Sequence, residues 1–190
     1  MRTPRGVRAN RAGGGARIRA MLSIRERPAG AEERAVPGHW EGDLLVGRGR
    51  SGVGTLVERT SRYTLLFAAP PACKGPELRA ALARVIVRLP AHLRRSLTWD
   101  QGSEMAEHVR FTVDTGVQVY FCDPHSPWQR GSNENTNGLL RQYLPRSMDF
   151  RAITPDALEM IAAELNGRPR ETLGWQTPAE RFLELQQASP

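Results

Sequence analysis

Residues 122–145 read CDPHSPWQRGSNENTNGLLRQYLP, and this stretch decides how the rest of the chain is interpreted. Pro124 and Pro127, followed by the turn-prone residues 131–133, predict a polar loop. From about residue 133 to residue 143 the composition favours a helix. The stretch is therefore predicted to be a loop that leads directly into a helix.

Three residues of this helix fall on one face. Glu134, Gly138 and Arg141 are spaced at i, i+4 and i+7, which places a carboxylate, a gap and a cation side by side. The glycine would let a large ligand approach the backbone closely. A solvated surface helix with an ordinary charge pair would show the same spacing. Whether this helix face is functional therefore depends on where the other carboxylates of the chain lie.

Composition indicates one domain. The 190 residues are 39% hydrophobic, enough for a single core plus tails. No apolar run is long enough to span a bilayer, and the arginine-rich start lacks the apolar segment of a signal peptide, so we expect a soluble, cytoplasmic protein without a membrane partner. Cys73 and Cys122 lie far apart, which suggests neither a disulfide framework nor a zinc site.

The net charge of +7 is concentrated at the start of the chain. Residues 1–27 hold eight arginines and one acid, whereas residues 28–190 hold 19 basic and 19 acidic side chains. With three consecutive glycines and few large apolar residues, the segment is predicted to be a basic flexible arm or linker over residues 1–30. Spaced arginines suit the phosphate backbone of a nucleic acid, although a tail that only aids solubility has the same composition.

The first predicted strand carries an acid in its interior. Residues 40–47, WEGDLLVG, form a short apolar run bounded by glycine, with Asp43 inside it. A buried carboxylate costs several kcal/mol unless it is paired or bound to a metal. Residues 53–58 and 63–68 are two further predicted strands, so the chain is expected to begin with an antiparallel meander.

A second acid ends the fourth predicted strand. Residues 96–100 form a short strand that closes on Asp100, and the carboxyl end of such a strand is where open α/β sheets bind ligands. A helix N-cap is the competing role for Asp100. The remaining predicted elements are helices at about 76–89, 104–115, 155–165 and 177–186, and a fifth strand at 117–121.

This order predicts an α/β (α+β) fold with a five-stranded mixed sheet flanked by helices, as in ribonuclease H-like proteins. Residues 31–190 would form this core together with its carboxy-terminal helices. The sheet would bring Asp43, Asp100 and Glu134 to one point, where hard oxygen ligands suit Mg²⁺ or Mn²⁺. Two such ions could serve phosphodiester chemistry.

The chain resembles the catalytic core of bacterial DDE transposases of the insertion sequence 30 family, which are related in fold to retroviral integrases. The resemblance covers residues 22–188, and 33 residues separate Asp100 from Glu134, the spacing associated with that family. It rests on VPGHWEGDLLVG, GTLVERTSRY, LTWDQGSEMAEH, CDPHSPWQRGSNENTNGLLRQYLP and NGRPRETLGWQTPAERF.

The resemblance implies roles for single residues. Asp43, Asp100 and Glu134 would be the catalytic acids and the ligands of two Mg²⁺ or Mn²⁺ ions. Arg141 matches a basic position that faces DNA, although a surface salt bridge is an alternative. Asn137 and Asn133 contact DNA or only solvate the helix. The loop residues that would hold DNA are His125, Trp128, Gln129 and Arg130, where Trp128 either stacks on a base or serves as a packed anchor.

The implied function is DNA cleavage at the ends of a mobile element, followed by strand transfer into target DNA, by a homo-oligomer on nucleoid DNA. Members of the family begin with a helix-turn-helix region, and the sequence before Pro37 contains no such pair of helices. The chain is therefore expected to be a fragment, a truncated reading frame or a decayed copy. The alternatives are a catalytically silent DNA-binding remnant that modulates a full-length transposase, and a nuclease of RNA–DNA hybrids. His39 is predicted to be structural.

Overall fold

The computed structural model describes residues 20–70 and 75–188. Within these ranges one mixed sheet has the strand order β1-β6-β5-β2-β3-β4, which is one strand more than predicted. The strands are β1 (Leu22–Ser23), β2 (His39–Val46), β3 (Gly52–Glu58), β4 (Thr64–Ala69), β5 (Ser96–Trp99) and β6 (Gln118–Phe121).

The sheet consists of an antiparallel half and a parallel half that meet at β2. Strands β2, β3 and β4 form the predicted meander, with Asp43 opposite Thr55. On its other edge β2 pairs in parallel with β5, where Glu41 lies opposite Thr98. Strands β6 and β1 continue the parallel half. Asp43 therefore lies in a central strand, and Asp100 directly follows the neighbouring strand β5.

Among the described residues five helices correspond to predicted ones, although the helix predicted from residue 104 begins at His108, and one short helix near residue 30 was not predicted. The helices are α1 (Ala29–Glu32), α2 (Pro76–Ile86), α3 (His108–Thr115), α4 (Gly131–Leu140), α5 (Pro155–Asn166) and α6 (Pro178–Gln187). Proline stands at the start of α2, α5 and α6, where its missing N–H is harmless, and threonine side chains cap α5 and α6. Among the described residues no helix combines the length and the apolar character needed to cross a membrane.

The helices cover both faces of the sheet, and each face has its own core. One core packs α2, α3 and α6 against the sheet around Trp40 and Trp99. The other packs α4 and α5 against Leu45 and Val53. Trp99 lies across β2 at Gly42, where an added Cβ would come within 2.2 Å of the indole ring. Because side chains alternate along β2, Asp43 shares the face of Leu45 and so points toward α4.

The structure differs from the predicted arm over residues 20–30. Ser23 and Glu26 form a capping box that begins a turn of 3-10 helix, and β1 pairs with β6 at the edge of the sheet. The Ala20 carbonyl oxygen lies 3.1 Å from Nε2 of His108. Residues 1–19, which hold the rest of the predicted arm, lie outside the described residues.

Cys122 is buried at the end of β6 and has a free thiol. Burial raises the pKa of this thiol to about 11, so it is protonated at neutral pH. Cys73, the other cysteine in the sequence, falls within residues 71–74, outside the described ranges.

Candidate active site

Asp43 is anchored on β2 by polar contacts from two sides. Its Oδ1 accepts the backbone N–H of Leu44 at 2.8 Å, and its Oδ2 accepts a hydrogen bond from Nδ2 of Asn137 at 2.9 Å. The side chain remains 24% exposed. Asn137 belongs to α4, so this contact fixes the distance between the helix and the carboxylate.

Arg130 brings the two strand acids together. Its Nη1 lies 3.3 Å from Oδ1 of Asp43, and its Nη2 lies 3.5 Å from Oδ2 of Asp100. Nη1 also donates to the Gly42 carbonyl oxygen at 2.8 Å. The arginine is only 8% exposed. One buried guanidinium thus bridges a carboxylate in the middle of β2 and a carboxylate at the end of β5, which brings together two of the three acids that were expected to meet.

Asp43 and Arg130 influence each other's pKa. Burial raises the pKa of Asp43, and the Asp100 charge raises it further, against the lowering effects of Arg130 and the Leu44 N–H. Burial alone lowers the pKa of Arg130, but Asp43 and Asp100 raise it more, so the net shift is upward. The arginine therefore stays charged, and its charge opposes the repulsion between the two acids.

Glu134 lies beside Asp43 in an open cleft of about 540 Å³. The glutamate is exposed on α4, and an added Cβ at Gly138 would meet nothing within 4 Å, so the helix face is open as its spacing predicted. The lining residues are Asp43, Leu44, Leu45, Glu134, Asn137, Gly138, Arg141 and Arg146. Two carboxylates and two arginines thus surround a space that solvent can reach.

The acids match a divalent cation in chemistry, although no group of three or more His, Cys, Asp or Glu side chains within residues 20–70 and 75–188 is already arranged to hold one. Asp43 and Asp100 already share a cationic partner, and they offer hard oxygen atoms. Oδ1 of Asn137 is buried without a hydrogen-bond partner beside Asp43. The chemistry of Asp43, Asp100 and this unsatisfied oxygen fits a Mg²⁺ or Mn²⁺ ion, and Glu134 lies exposed in the same cleft as Asp43.

The other predicted DNA contacts differ in their surroundings. Arg141 lines the cleft and donates to the carbonyl oxygens of Val46 and Leu144 at 3.3 and 3.2 Å. Trp128 is 72% exposed, which leaves its ring free to stack and does not fit a packed anchor. His125 is exposed and has a left-handed backbone with φ of 57°. Arg130 is buried in its ion pairs, and its contact with DNA stays a prediction.

A buried polar network beneath the cleft was not anticipated. Glu41 is fully buried and forms an ion pair with Arg59. Its Oε2 accepts the backbone N–H of Asn133 at 2.9 Å, and its carbonyl oxygen accepts Nδ2 of Asn133 at 2.8 Å. Thr55 donates to Oδ1 of Asn133 at 3.2 Å. Asn133, the residue before Glu134, is thus fixed to the strand that holds Asp43. The two-residue spacing of Glu41 and Asp43, which places both on one face of the strand, could have predicted this network from the sequence.

Glu104 is a further carboxyl group next to Asp100. Oε1 of Glu104 accepts the indole N–H of Trp99 at 3.3 Å. Burial raises the pKa of Glu104, and the Asp100 charge raises it further. The sequence analysis did not predict that Glu104 lies near the site. Its spacing is that of an ordinary acidic residue in the first turn of a helix.

Comparisons with known proteins identify the family of the chain. Residues 33–127 match the family model described as "Integrase core domain". The chain is 51% identical over 185 residues to the transposase for insertion sequence element IS1086 of Cupriavidus metallidurans, covering 97% of this chain and 53% of that protein. It is 50% identical over 160 residues to the transposase InsI for insertion sequence element IS30C of Escherichia coli, covering 83% and 41%. The chain thus spans about half the length of these relatives.

Solved structures confirm the fold. The catalytic core domain of BIV integrase superposes with a TM-score of 0.58 at 19% identity, covering 78% of this chain and 95% of that chain. A chain of the simian T-cell lymphotropic virus intasome gives a TM-score of 0.61 at 18% identity, covering 81% and 56%. The predicted ribonuclease H-like fold is therefore correct. The chain belongs to the integrase core domain family and is a bacterial transposase core of the insertion sequence 30 type.

Proposed function

We propose that this chain cleaves DNA strands at the ends of a mobile element in a metal-dependent reaction and transfers the freed strands into target DNA. In the first step water adds to a phosphodiester, the bond from phosphorus to the 3′ oxygen breaks, and a 3′ hydroxyl is released. In the second step that hydroxyl attacks a target phosphodiester, a new phosphorus–oxygen bond forms and a target 3′ oxygen leaves. The first step is therefore the hydrolysis of a phosphodiester bond. The second step replaces one phosphodiester bond with another.

The main support for this proposal is that Arg130 forms ion pairs with both Asp43 and Asp100. Glu134 lies in the same cleft as Asp43. Asp43, Asp100 and Glu134 would hold two Mg²⁺ or Mn²⁺ ions, which would activate the attacking oxygen and stabilise the leaving oxygen. The side chains do the positioning: Asn137 orients Asp43, and the Glu41–Asn133 contact sets α4 against β2.

The substrate is proposed from the surroundings of these acids. Arg141 and Arg146 line the cleft and give it cations suited to a phosphate backbone. The relatives carry the name transposase, which supports DNA as the substrate and the nucleoid as the place of action. A homo-oligomer on DNA, alone or with a full-length transposase, is the proposed working form, and light scattering of the DNA complex would measure it.

A pre-joined substrate tests the chemistry separately from end recognition. A branched duplex that mimics the strand-transfer product holds the 3′ hydroxyl and the reactive phosphodiester in one molecule, so the reverse reaction needs little binding energy from regions outside the core. With Mg²⁺ or Mn²⁺ the chain is expected to resolve this branch. Asp100→Asn is expected to lose about 100- to 1000-fold in rate, while the exposed control Asp156→Asn keeps it.

The outcomes separate the alternatives. If both the parent and the Asp100→Asn variant bind the branched duplex but leave it intact, the silent DNA-binding remnant is the correct interpretation. If the parent cuts RNA–DNA hybrids without joining any strands, the chain is a hybrid nuclease. Equal rates in the parent and in Asp100→Asn would remove Asp100 from the catalytic set.

A further inference from the structure

A groove on the other side of α4 is rich in arginine. Three adjoining depressions of about 360, 370 and 310 Å³ all include Arg34 in their walls, and two of them share Arg62 and Thr172, so they form one continuous surface. We call this surface the arginine groove. Its charged lining residues are Arg25, Arg27, Arg34, Arg59, Arg62, Arg170 and Arg181, with Glu32 as the one acid among them.

Helix α4 separates the arginine groove from the candidate active site. Ser132 and Asn135 line the groove, whereas Glu134 and Asn137 line the cleft. An α-helix with its side chains is about 10–12 Å across. A nucleic acid whose reactive phosphodiester lies in the cleft therefore has further phosphates within reach of the groove.

The central arginines have no acidic partner in the described part of the chain. Arg25, Arg59 and Arg181 pair with Asp123, Glu41 and Glu184, but Arg34, Arg62 and Arg170 are absent from every ion pair within residues 20–70 and 75–188. Arg62 donates to the Ser132 hydroxyl and Arg170 to the Leu165 carbonyl oxygen at 3.4 Å, and both acceptors are neutral. Their positive charges are therefore available to an anionic ligand.

Two further features indicate an anion. Nε of Arg27 is buried in the structure without a hydrogen-bond partner. Burial lowers the pKa of both Arg27 and Arg59, the charges of Glu41 and Glu32 raise the pKa of each, and the neighbouring charge of Arg34 lowers it. Arg34 therefore repels both of these cations while Glu41 and Glu32 attract them, and a bound polyanion would relieve the repulsion between the arginines.

The backbone also holds two of these arginines in place. Arg34 and Arg62 have φ values of 57° and 63°, a left-handed conformation that is uncommon for residues other than glycine. The hydroxyl of Thr60 donates to the Arg34 carbonyl oxygen at 3.0 Å, and the Arg62 N–H donates to the Glu58 carbonyl oxygen at 2.9 Å. The left-handed conformation is unfavourable at both arginines, and the surrounding hydrogen bonds stabilise it.

We propose that the arginine groove binds the phosphate backbone of the DNA duplex whose reactive phosphodiester lies in the cleft beyond α4. The proposal rests on the proposed function for the choice of DNA, and it assigns Arg34, Arg62 and Arg170 as phosphate contacts. Trp128 stands at the end of the groove with 72% of its surface exposed, where it can stack on an unpaired base.

Salt-dependent DNA binding by paired variants tests the assignment. Each arginine that contacts a phosphate contributes about 1 to the slope of log affinity against log salt. Arg34→Gln with Arg170→Gln is expected to reduce that slope by about 2 and to weaken binding about tenfold at low salt. The control, Arg84→Gln with Arg88→Gln, removes the same charge from exposed positions outside the groove and is expected to change the slope little.

A second measurement needs no variant. Arginine modification by phenylglyoxal, followed by mass spectrometry, is expected to show that DNA protects Arg34, Arg62 and Arg170 but not Arg84. Unprotected groove arginines, or equal slopes in the groove variant and the control, would overturn the proposal. Protection that appears without DNA and rises with protein concentration would assign the groove to a second copy of the chain, which also overturns it.

The branched-duplex assay keeps this proposal separate from the catalytic one. If the groove variant keeps the parent's slope while Asp100→Asn abolishes strand joining, the groove assignment fails and the catalytic proposal stands. If the slope falls by about 2 while the parent shows no strand chemistry, the groove binds DNA and the catalytic proposal fails.

Discussion

The backbone N–H of Asn133 donates to the Glu41 carboxylate at 2.9 Å, and the Asn133 side-chain amide donates to the Glu41 carbonyl oxygen at 2.8 Å. One residue of α4 is thereby held twice by one residue of β2. The neighbours of these two residues include the catalytic candidates: Glu134 follows Asn133, and Asp43 lies two positions beyond Glu41. The buried contact therefore sets the relative position of two proposed metal ligands.

Replacing Glu41 is expected to destabilise the fold strongly. Glu41→Gln leaves the buried Arg59 charge without its partner, and the loss of one member of a buried pair costs about 3–5 kcal/mol. Urea unfolding would measure the change. The double variant Glu41→Gln with Arg59→Gln is expected to lose less than the sum of the two single variants. A loss below about 1 kcal/mol in Glu41→Gln would contradict the assignment.

Asn137 is expected to control the orientation of Asp43 rather than stability. Asn137→Ala removes the 2.9 Å hydrogen bond to Oδ2 of Asp43, and the loss of such a supporting contact lowers metal affinity about 10- to 100-fold. Titration with Mn²⁺, followed by electron paramagnetic resonance, measures this directly. Asn135→Ala on the opposite side of α4 is the matched control and should leave Mn²⁺ affinity unchanged. Equal affinities in both variants would argue against the role.

Removing Arg130 is expected to make stability depend more steeply on pH. Burial already raises the pKa of Asp43, and loss of the Arg130 charge would raise it further. An acid with a raised pKa in the folded state binds its proton more tightly there, so the fold loses stability as pH rises from the ordinary pKa of aspartate to the raised value. The destabilisation of Arg130→Gln should thus be smallest in acid and grow with pH.

Urea unfolding of the parent and of Arg130→Gln across about pH 4 to pH 7 would measure this dependence. Asp43→Asn in the Arg130→Gln background removes the titrating group, and it should flatten the difference. A destabilisation of Arg130→Gln that is constant across this range would show that the arginine does not act through Asp43.

His39 makes an opposite contribution to the pH dependence. The ring is buried, its Nδ1 lies 2.7 Å from Oγ of Ser96, and burial lowers its pKa to about 4. The unfolded chain therefore takes up a proton at a higher pH than the folded chain, and stability falls as the pH drops from about 6.5 toward about 4. The loss should reach about 2–3 kcal/mol. The His39→Asn variant should lack this loss of stability on acidification. Urea unfolding of the parent and the variant at matched pH values would test the prediction.

Much of the fold followed from local pattern. The strands β2, β3 and β4 and the helices α5 and α6 lie within about two residues of their predicted bounds, because alternation, proline and threonine caps act over short range. Strand β1 was not predicted, since it has two residues and exists through pairing with β6 about a hundred positions later. No local pattern specifies such an edge strand.

The candidate site was less predictable from the sequence than the fold. The positions of Asp43 in a strand, Asp100 at a strand end and Glu134 on a helix face were predictable from spacing. The structure joins Asp43 to Asp100 through Arg130 and places Glu134 in the cleft of Asp43, while the common role of the three acids stays a prediction. Arg130 lies in a stretch predicted to be a polar loop that holds DNA, but in the fold its side chain is buried between two acids. Burial of a polar side chain depends on which strand ends meet, and local sequence does not contain that information.

The mixed pairing of β2 has a consequence for the order in which the protein is made and folds. The hairpin partners Val46 and Gly52 lie six positions apart, whereas the parallel partners His39 and Ser96 lie 57 positions apart. Local pairs close early and distant pairs close late, so the meander can form on the ribosome before β5 has been synthesised. At that moment the nascent chain holds Asp43 but neither Asp100 nor Glu134. The three proposed catalytic acids are therefore assembled only after the last third of the chain has docked.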